Sequence, residues 1–166
     1  MTARYFEITK NAGMIDGNNV LNEDVATLYN GMALTMNTSA ELIIPTDAAN
    51  RIYGLAYEGQ QLNDLPTTEN IATDNAGYRI GVVRGDFEAL CNRQLFEGTE
   101  IPTATQKIWS TGDGTLTATQ PYSASGTPVA LGYCVGNAPI QNDSDIGYSY
   151  RTVARVVFSI DIGGMY

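Results

Sequence analysis

At 166 residues the chain fits one domain and is long enough to bury a core without disulfides or metals. Hydrophobic residues make up 43% of it, which excludes disorder by composition, and charged residues only 16%, so Thr, Asn, Ser, Gln and Gly must supply the polar surface. The formal net charge of −9 repels phosphate backbones and anionic bilayers, so neither nucleic acid nor a membrane is expected as a partner.

Residues 1–21 open the chain with Gly13, Gly17 and the pair Asn18-Asn19. They read as an extended N-terminal arm preceding a β-domain over 22–166. Met1 to Lys10 has no apolar signal core, and no apolar run approaches the roughly 20 residues that span a bilayer. Asn22 to Gly31 carries a capping residue, early acids and a terminal Gly, which predicts a short helix. Met32–Met36 and Glu41–Ile44 flank Asn37-Thr38-Ser39 as a hairpin, and Pro45 ends it. A turn over Thr46–Asn50 precedes a strand over Arg51–Tyr57. Glu58 to Gly77 reads as a long loop. Tyr78–Arg84 and Phe87–Cys91 are predicted strands separated by a turn at Gly85-Asp86. Lys107–Ser110 and Thr115–Thr119 surround Thr111-Gly112-Asp113-Gly114, a strong hairpin signal. Val129–Val135 is another apolar run, and Asn137 to Ser149 a second long loop.

The clearest strand starts at Thr152. Ala154, Val156, Phe158 and Ile160 alternate onto one apolar face, with Val153, Arg155, Val157, Ser159 and Asp161 on the other. The sum is an all-β fold: a small antiparallel β-barrel or sandwich with an extended arm, long loops and at most one or two short helices. Three strands carry an internal glycine, at Gly54, Gly81 and Gly132. Glycine weakens a strand, so it marks a bulge, a bend or a close backbone approach, and three of them suggest tight curvature. Cys91 and Cys134 lie among apolar residues and read as buried free thiols; a disulfide between them stays open but is not needed at this length.

Chemistry is narrowed by one fact: the chain has no histidine. Ser-His-Asp and Cys-His arrangements are thereby excluded, and zinc would have only carboxylates and two cysteines outside Cys-x-x-Cys spacing. The 18 acids sit mostly beside Gly, Asn or Thr in turns, which reads as solvated loops rather than a two-carboxylate hydrolase. Asn142-Asp143-Ser144-Asp145 begins like a calcium loop, but Tyr148, Ser149 and Tyr150 follow where ligands should stand. No catalytic, cofactor or metal site is assigned, and no small-molecule substrate is expected. The ten tyrosines are more informative, because Tyr and Arg are enriched at protein interfaces. Tyr148, Tyr150 and Arg151 form one candidate interface cluster. Arg4, Tyr5, Phe6 and Ile8 form another, since that stretch has the strand propensity to add to a neighbour's sheet edge.

The stretch from Gly31 to Ile162 resembles the capsid decoration (cement) proteins of tailed bacteriophages. The residues that carry this are Gly31-Met32-Ala33-Leu34, Arg51-Ile52-Tyr53-Gly54-Leu55-Ala56, Ile80-Gly81-Val82-Val83-Arg84-Gly85, Gly112-Asp113-Gly114-Thr115-Leu116-Thr117 and Val129-Ala130-Leu131-Gly132-Tyr133. Their order matches the family's, while the loop from Glu58 to Gly77 and the arm depart from its shortest members. The resemblance implies a non-enzymatic virion protein, made in the host cytoplasm and placed on the outer capsid surface. Its partners would be the major capsid protein, whose subunit contacts it stabilises, and copies of itself, as a homotrimer. Another phage head or tail component and a carbohydrate-binding β module are the alternatives; the latter draws on Trp109 and the tyrosines.

Overall fold

A computed structural model describes residues 4–11, 14–58, 70–141 and 150–160. Ten strands and one short helix make up the regular structure among them: β1 (Phe6–Asn11), β2 (Met14–Val20), β3 (Ala33–Met36), β4 (Leu42–Ile43), β5 (Gly54–Ala56), α1 (Ala72–Asn75), β6 (Arg79–Asn92), β7 (Lys107–Ser110), β8 (Leu116–Thr117), β9 (Gly132–Gln141) and β10 (Tyr150–Ile160). Single 3₁₀ turns cover Arg93–Leu95 and Glu97–Thr99. The all-β expectation is borne out. The strands form a curled antiparallel half-barrel in the order β4-β3-β5-β6-β10-β9-β7-β8.

β6 is the spine of the sheet. On one side, β1 and β2 lie end to end along it, from Phe6 opposite Cys91 to Val20 opposite Arg79. On the other side it pairs with β5 near its start and with β10 along its second half. Its side chains alternate between two cores, as a strand's must. Val83, Phe87, Ala89 and Cys91 enter a larger core with Phe6, Phe158, Leu116 and the apolar face of β10. Ile80 and Val82 enter a smaller one with Leu21, Leu28, Leu34 and Leu42. Around the smaller core the strands close on themselves: β2, β6, β5, β3 and β4 are neighbours in turn, and Leu21 bridges back to Leu42.

The three strand glycines have the close approaches their sequence positions suggest. A Cβ on Gly54 would lie 2.3 Å from Val82 Cγ1, one on Gly81 2.3 Å from the Tyr57 carbonyl oxygen, and one on Gly132 2.1 Å from the Val157 carbonyl oxygen. The Asp-Gly hairpin is also present: Thr111 N donates to Thr115 O at 2.8 Å, with Gly114 at φ +85°.

Four expectations change. First, Gly85-Asp86 is not a turn between two strands. The β10 ladder runs through it, pairing Ile160 with Gly85 and Ser159 with Asp86, and the positive φ of Gly85 is absorbed inside one strand. Second, Asn22 to Gly31 is not helical. The Asn22 side chain accepts from Asp24 N, and the Asn70 side chain takes Leu28 N and donates to Ala26 O, so side chains occupy the backbone groups a helix would need. Third, residues 137–141 belong to β9 rather than to a loop, because β10 continues to pair with them. Fourth, the described part of the N-terminal arm is not a free extension: it is paired with β6 along its length.

Cys91 and Cys134 are buried free thiols. They sit on β6 and β9, on either side of β10, opposite Ala154 and Val156 respectively. Two strand spacings amount to about 9–10 Å, beyond the roughly 7 Å between Cα atoms that a disulfide tolerates.

Candidate functional site

The larger core covers one face of the sheet formed by β1, β6, β10, β9 and β7. The opposite face carries a row of side chains that register alone brings together. Lys10 lies opposite Glu88, Glu88 opposite Val157, Val157 opposite Tyr133, and Tyr133 opposite Lys107. Lys10 and Lys107, at the two ends of this row, are the only lysines in the chain.

Glu88 organises one half of the row. Its carboxylate accepts from Arg155 Nη2 at 2.9 Å and from Thr9 Oγ1 at 3.3 Å, and Lys10 Nζ lies 3.7 Å away. Only 11% of the Glu88 side chain is exposed, against 73% for Lys10. The Arg155 hydrogen bond, aided by the charges of Arg155 and Lys10, overcomes burial and holds the Glu88 carboxyl below its usual range. Nearby, Ser159 Oγ donates to Asp86 at 2.7 Å, and Tyr5 donates its hydroxyl to Glu7.

The other half is apolar and open. Tyr133 is 49% exposed and Val135 is also exposed. Val135 sits where β9 takes one extra residue against β10, between the buried Cys134 and Gly136. Such a bulge re-aims a side chain. Trp109, two residues beyond Lys107 on β7, is half-buried at the rim. Among the side chains described on this face, Lys10, Lys107 and Arg155 balance Glu7, Asp86 and Glu88, whereas the whole chain has 18 acids against 9 basic residues.

A buried polar cluster fastens β2 to the rest of the sheet. Tyr53 donates its hydroxyl to Asp16 Oδ2 at 2.6 Å, and Asn19 Nδ2 reaches both Asp16 Oδ2 at 3.1 Å and the Tyr53 hydroxyl at 2.8 Å. The Arg84 guanidinium stacks on the Tyr53 ring at 3.6 Å while its Nε donates to the Tyr53 carbonyl oxygen. Burial pushes the Asp16 carboxyl up, but the Tyr53 hydroxyl, the Asn18 amide and the Arg84 charge together hold it below its usual value.

The interface residues expected from sequence are dispersed. Tyr5 and Phe6 are buried, and Ile8 packs half-buried against the larger core. Arg4 lies over the Tyr29 ring at 3.7 Å and lines a cleft of about 210 Å³ with Asp113 and Gln94. Tyr150 and Arg151 are in β10, opposite Gln141 and Ile140. Tyr148 lies outside the described residues. A second cleft, of about 410 Å³, is lined by Ile52, Val129, Leu131 and Ile160. It adjoins the connection between β8 and β9, where Ser123 and Ser125 both donate to Asp47.

The row itself escaped sequence reading. The alternation of β10 already puts Arg155 and Val157 on its less apolar face, but only strand order and register add Glu88, Tyr133 and both lysines. In comparisons with known proteins, no family model, no curated protein and no solved structure matches this chain.

Proposed function

We propose that this chain is a structural protein of a phage virion, a capsid decoration protein that binds the outside of the head and stabilises contacts between major capsid subunits. The observation that carries the protein-binding part of this reading is the outer sheet face, charge-balanced in a strongly acidic chain and open at Tyr133 and Val135. The phage part rests on the motif order seen in the sequence. Those motifs fall on β3, β5, β6, the β7–β8 hairpin and the start of β9, so they follow the strands of one sheet. In this reading the protein is non-enzymatic and acts as a homotrimer. Repetition of one site over a capsid lets modest contacts add up through avidity.

The test mixes the full chain with expanded, undecorated capsids of the phage that encodes it. Co-sedimentation at saturating stoichiometry, with a rise in the capsid's thermal disruption temperature, is the expected result. A chain that stays in the supernatant overturns the proposal. A carbohydrate-binding module is the second reading, favoured by Tyr133 and Trp109 lying toward the same face; binding to a glycan array would support it instead.

A further inference from the structure

We infer that the outer face of the β1-β6-β10-β9-β7 sheet is the docking surface, and that its occupant is an acidic protein surface. This rests on the proposed function in one respect: the acidic surface belongs to the capsid exterior.

Electrostatics argues for the face. A chain with a formal charge of −9 repels another acidic protein over most of its surface. Both of its lysines and Arg155 gather here and offset Glu7, Asp86 and Glu88, so that repulsion is relieved on this face. Glu88 is already committed to Arg155, Thr9 and Lys10, so it does not compete for the partner's cations or repel its carboxylates at full strength. The Lys10 side chain stays mostly exposed despite that pairing, and exposed Lys107 has no ion-pair partner among the described residues. The two lysines stand four strand spacings apart along the row, roughly 19 Å at the backbone, which sets the scale of separation for two acidic patches on the partner.

Packing argues for the centre of the same row. Val157 is half-buried and Tyr133 half-exposed between the two lysines, with Val135 beside them. A Tyr flanked by aliphatic side chains and ringed by charges has the make-up of an interface hot spot, with an apolar centre and a polar rim. The strands beneath are paired and packed on the larger core, so the row is presented without a cost for ordering the backbone.

The experiment measures capsid binding by co-sedimentation at about 50 and 200 mM salt for the native chain and three variants. Lys107→Glu and Tyr133→Ala alter exposed positions of the row. Tyr122→Ala alters the most exposed tyrosine elsewhere among the described residues and serves as a control. The native chain is expected to bind more weakly at the higher salt. Lys107→Glu is expected to weaken binding about tenfold or more at low salt and to flatten its salt dependence. Tyr133→Ala is expected to weaken it about tenfold at both salts, and Tyr122→Ala to stay within about twofold. Native unfolding midpoints confirm that a variant is folded; if Tyr133→Ala is not, Tyr133→Phe with Val135→Ser replaces it. Capsid binding that survives both row substitutions overturns the docking face and leaves the decoration role standing. Failure of the native chain to bind overturns both. Self-association of the native chain that Lys107→Glu abolishes makes a second copy the occupant, and glycan binding lost in Tyr133→Ala makes it a sugar; either result overturns the inference.

Discussion

Protonating Asp16 removes the charge that the Tyr53 hydroxyl, the Asn19 amide and Arg84 are arranged around. Its folded pKa lies below the unfolded value of about 3.9. The unfolded chain therefore takes up this proton first as pH falls. The stabilisation is complete above the unfolded pKa and is lost as pH drops through the lower, folded one. Asp16→Asn is expected to lower stability near pH 7 by about 1–3 kcal/mol and to flatten part of the fall in urea midpoint below about pH 4. Urea titrations across that range check it, and an unchanged acid limb would assign the fall to Glu88 and other carboxylates instead. At this scale some features were legible. Gly54, Gly81 and Gly132 marked a bulge, a bend or a close approach, and a close approach is found at all three. The Asp16 cluster was not legible, since nothing in Met-Ile-Asp-Gly-Asn-Asn points to a tyrosine just before β5 and an arginine on β6.

The arm shows how an element's role depends on what it meets. Its strand propensity was visible in Arg4 to Thr9, but propensity does not name a partner. Here the partner is the chain's own β6, and Phe6 is a central member of the larger core, edge-on to Tyr57 at 6.2 Å between ring centroids. Phe6→Ala is expected to cost about 3–5 kcal/mol of folding stability, as for other buried aromatics. Equilibrium denaturation measures this directly; a cost below about 1 kcal/mol would mean that the arm is dispensable to the core. Removing the arm would thus unfold the protein rather than merely weaken a contact. The same contrast explains β10 and β6. The alternation in β10 was enough to place four of its side chains in the core. By contrast, Gly85-Asp86 reads locally as a turn, and only the continuous β10 ladder alongside shows that β6 is a single strand.

Over the whole molecule, the two cores are not independent, because both are built on opposite faces of β6. Opening either one strips the spine of the other. Both thiols belong to the larger core and report on how its strands open. Burial pushes the Cys91 thiol far above its ordinary pKa, and Cys134 is raised for the same reason. Both should resist a thiol-disulfide reagent in the native state and then react at one common rate, equal to that of global opening. Two separate rates would reveal a sheet that opens in parts. The fold class was legible from composition and alternation, but the shared spine was not, because it depends on pairings between distant segments. Tyr5 and Asn92, which hydrogen-bond, are 87 positions apart, and Arg155 lies 67 beyond its partner Glu88. On the ribosome, at roughly 5–20 residues per second, the arm therefore emerges on the order of ten seconds before β6 can receive it. Phe6 and Ile8 spend that interval unpaired, and β10 completes the sheet only near the end of synthesis. A protein made in many copies at once under those conditions depends on the speed of translation and on chaperone supply as much as on its final stability.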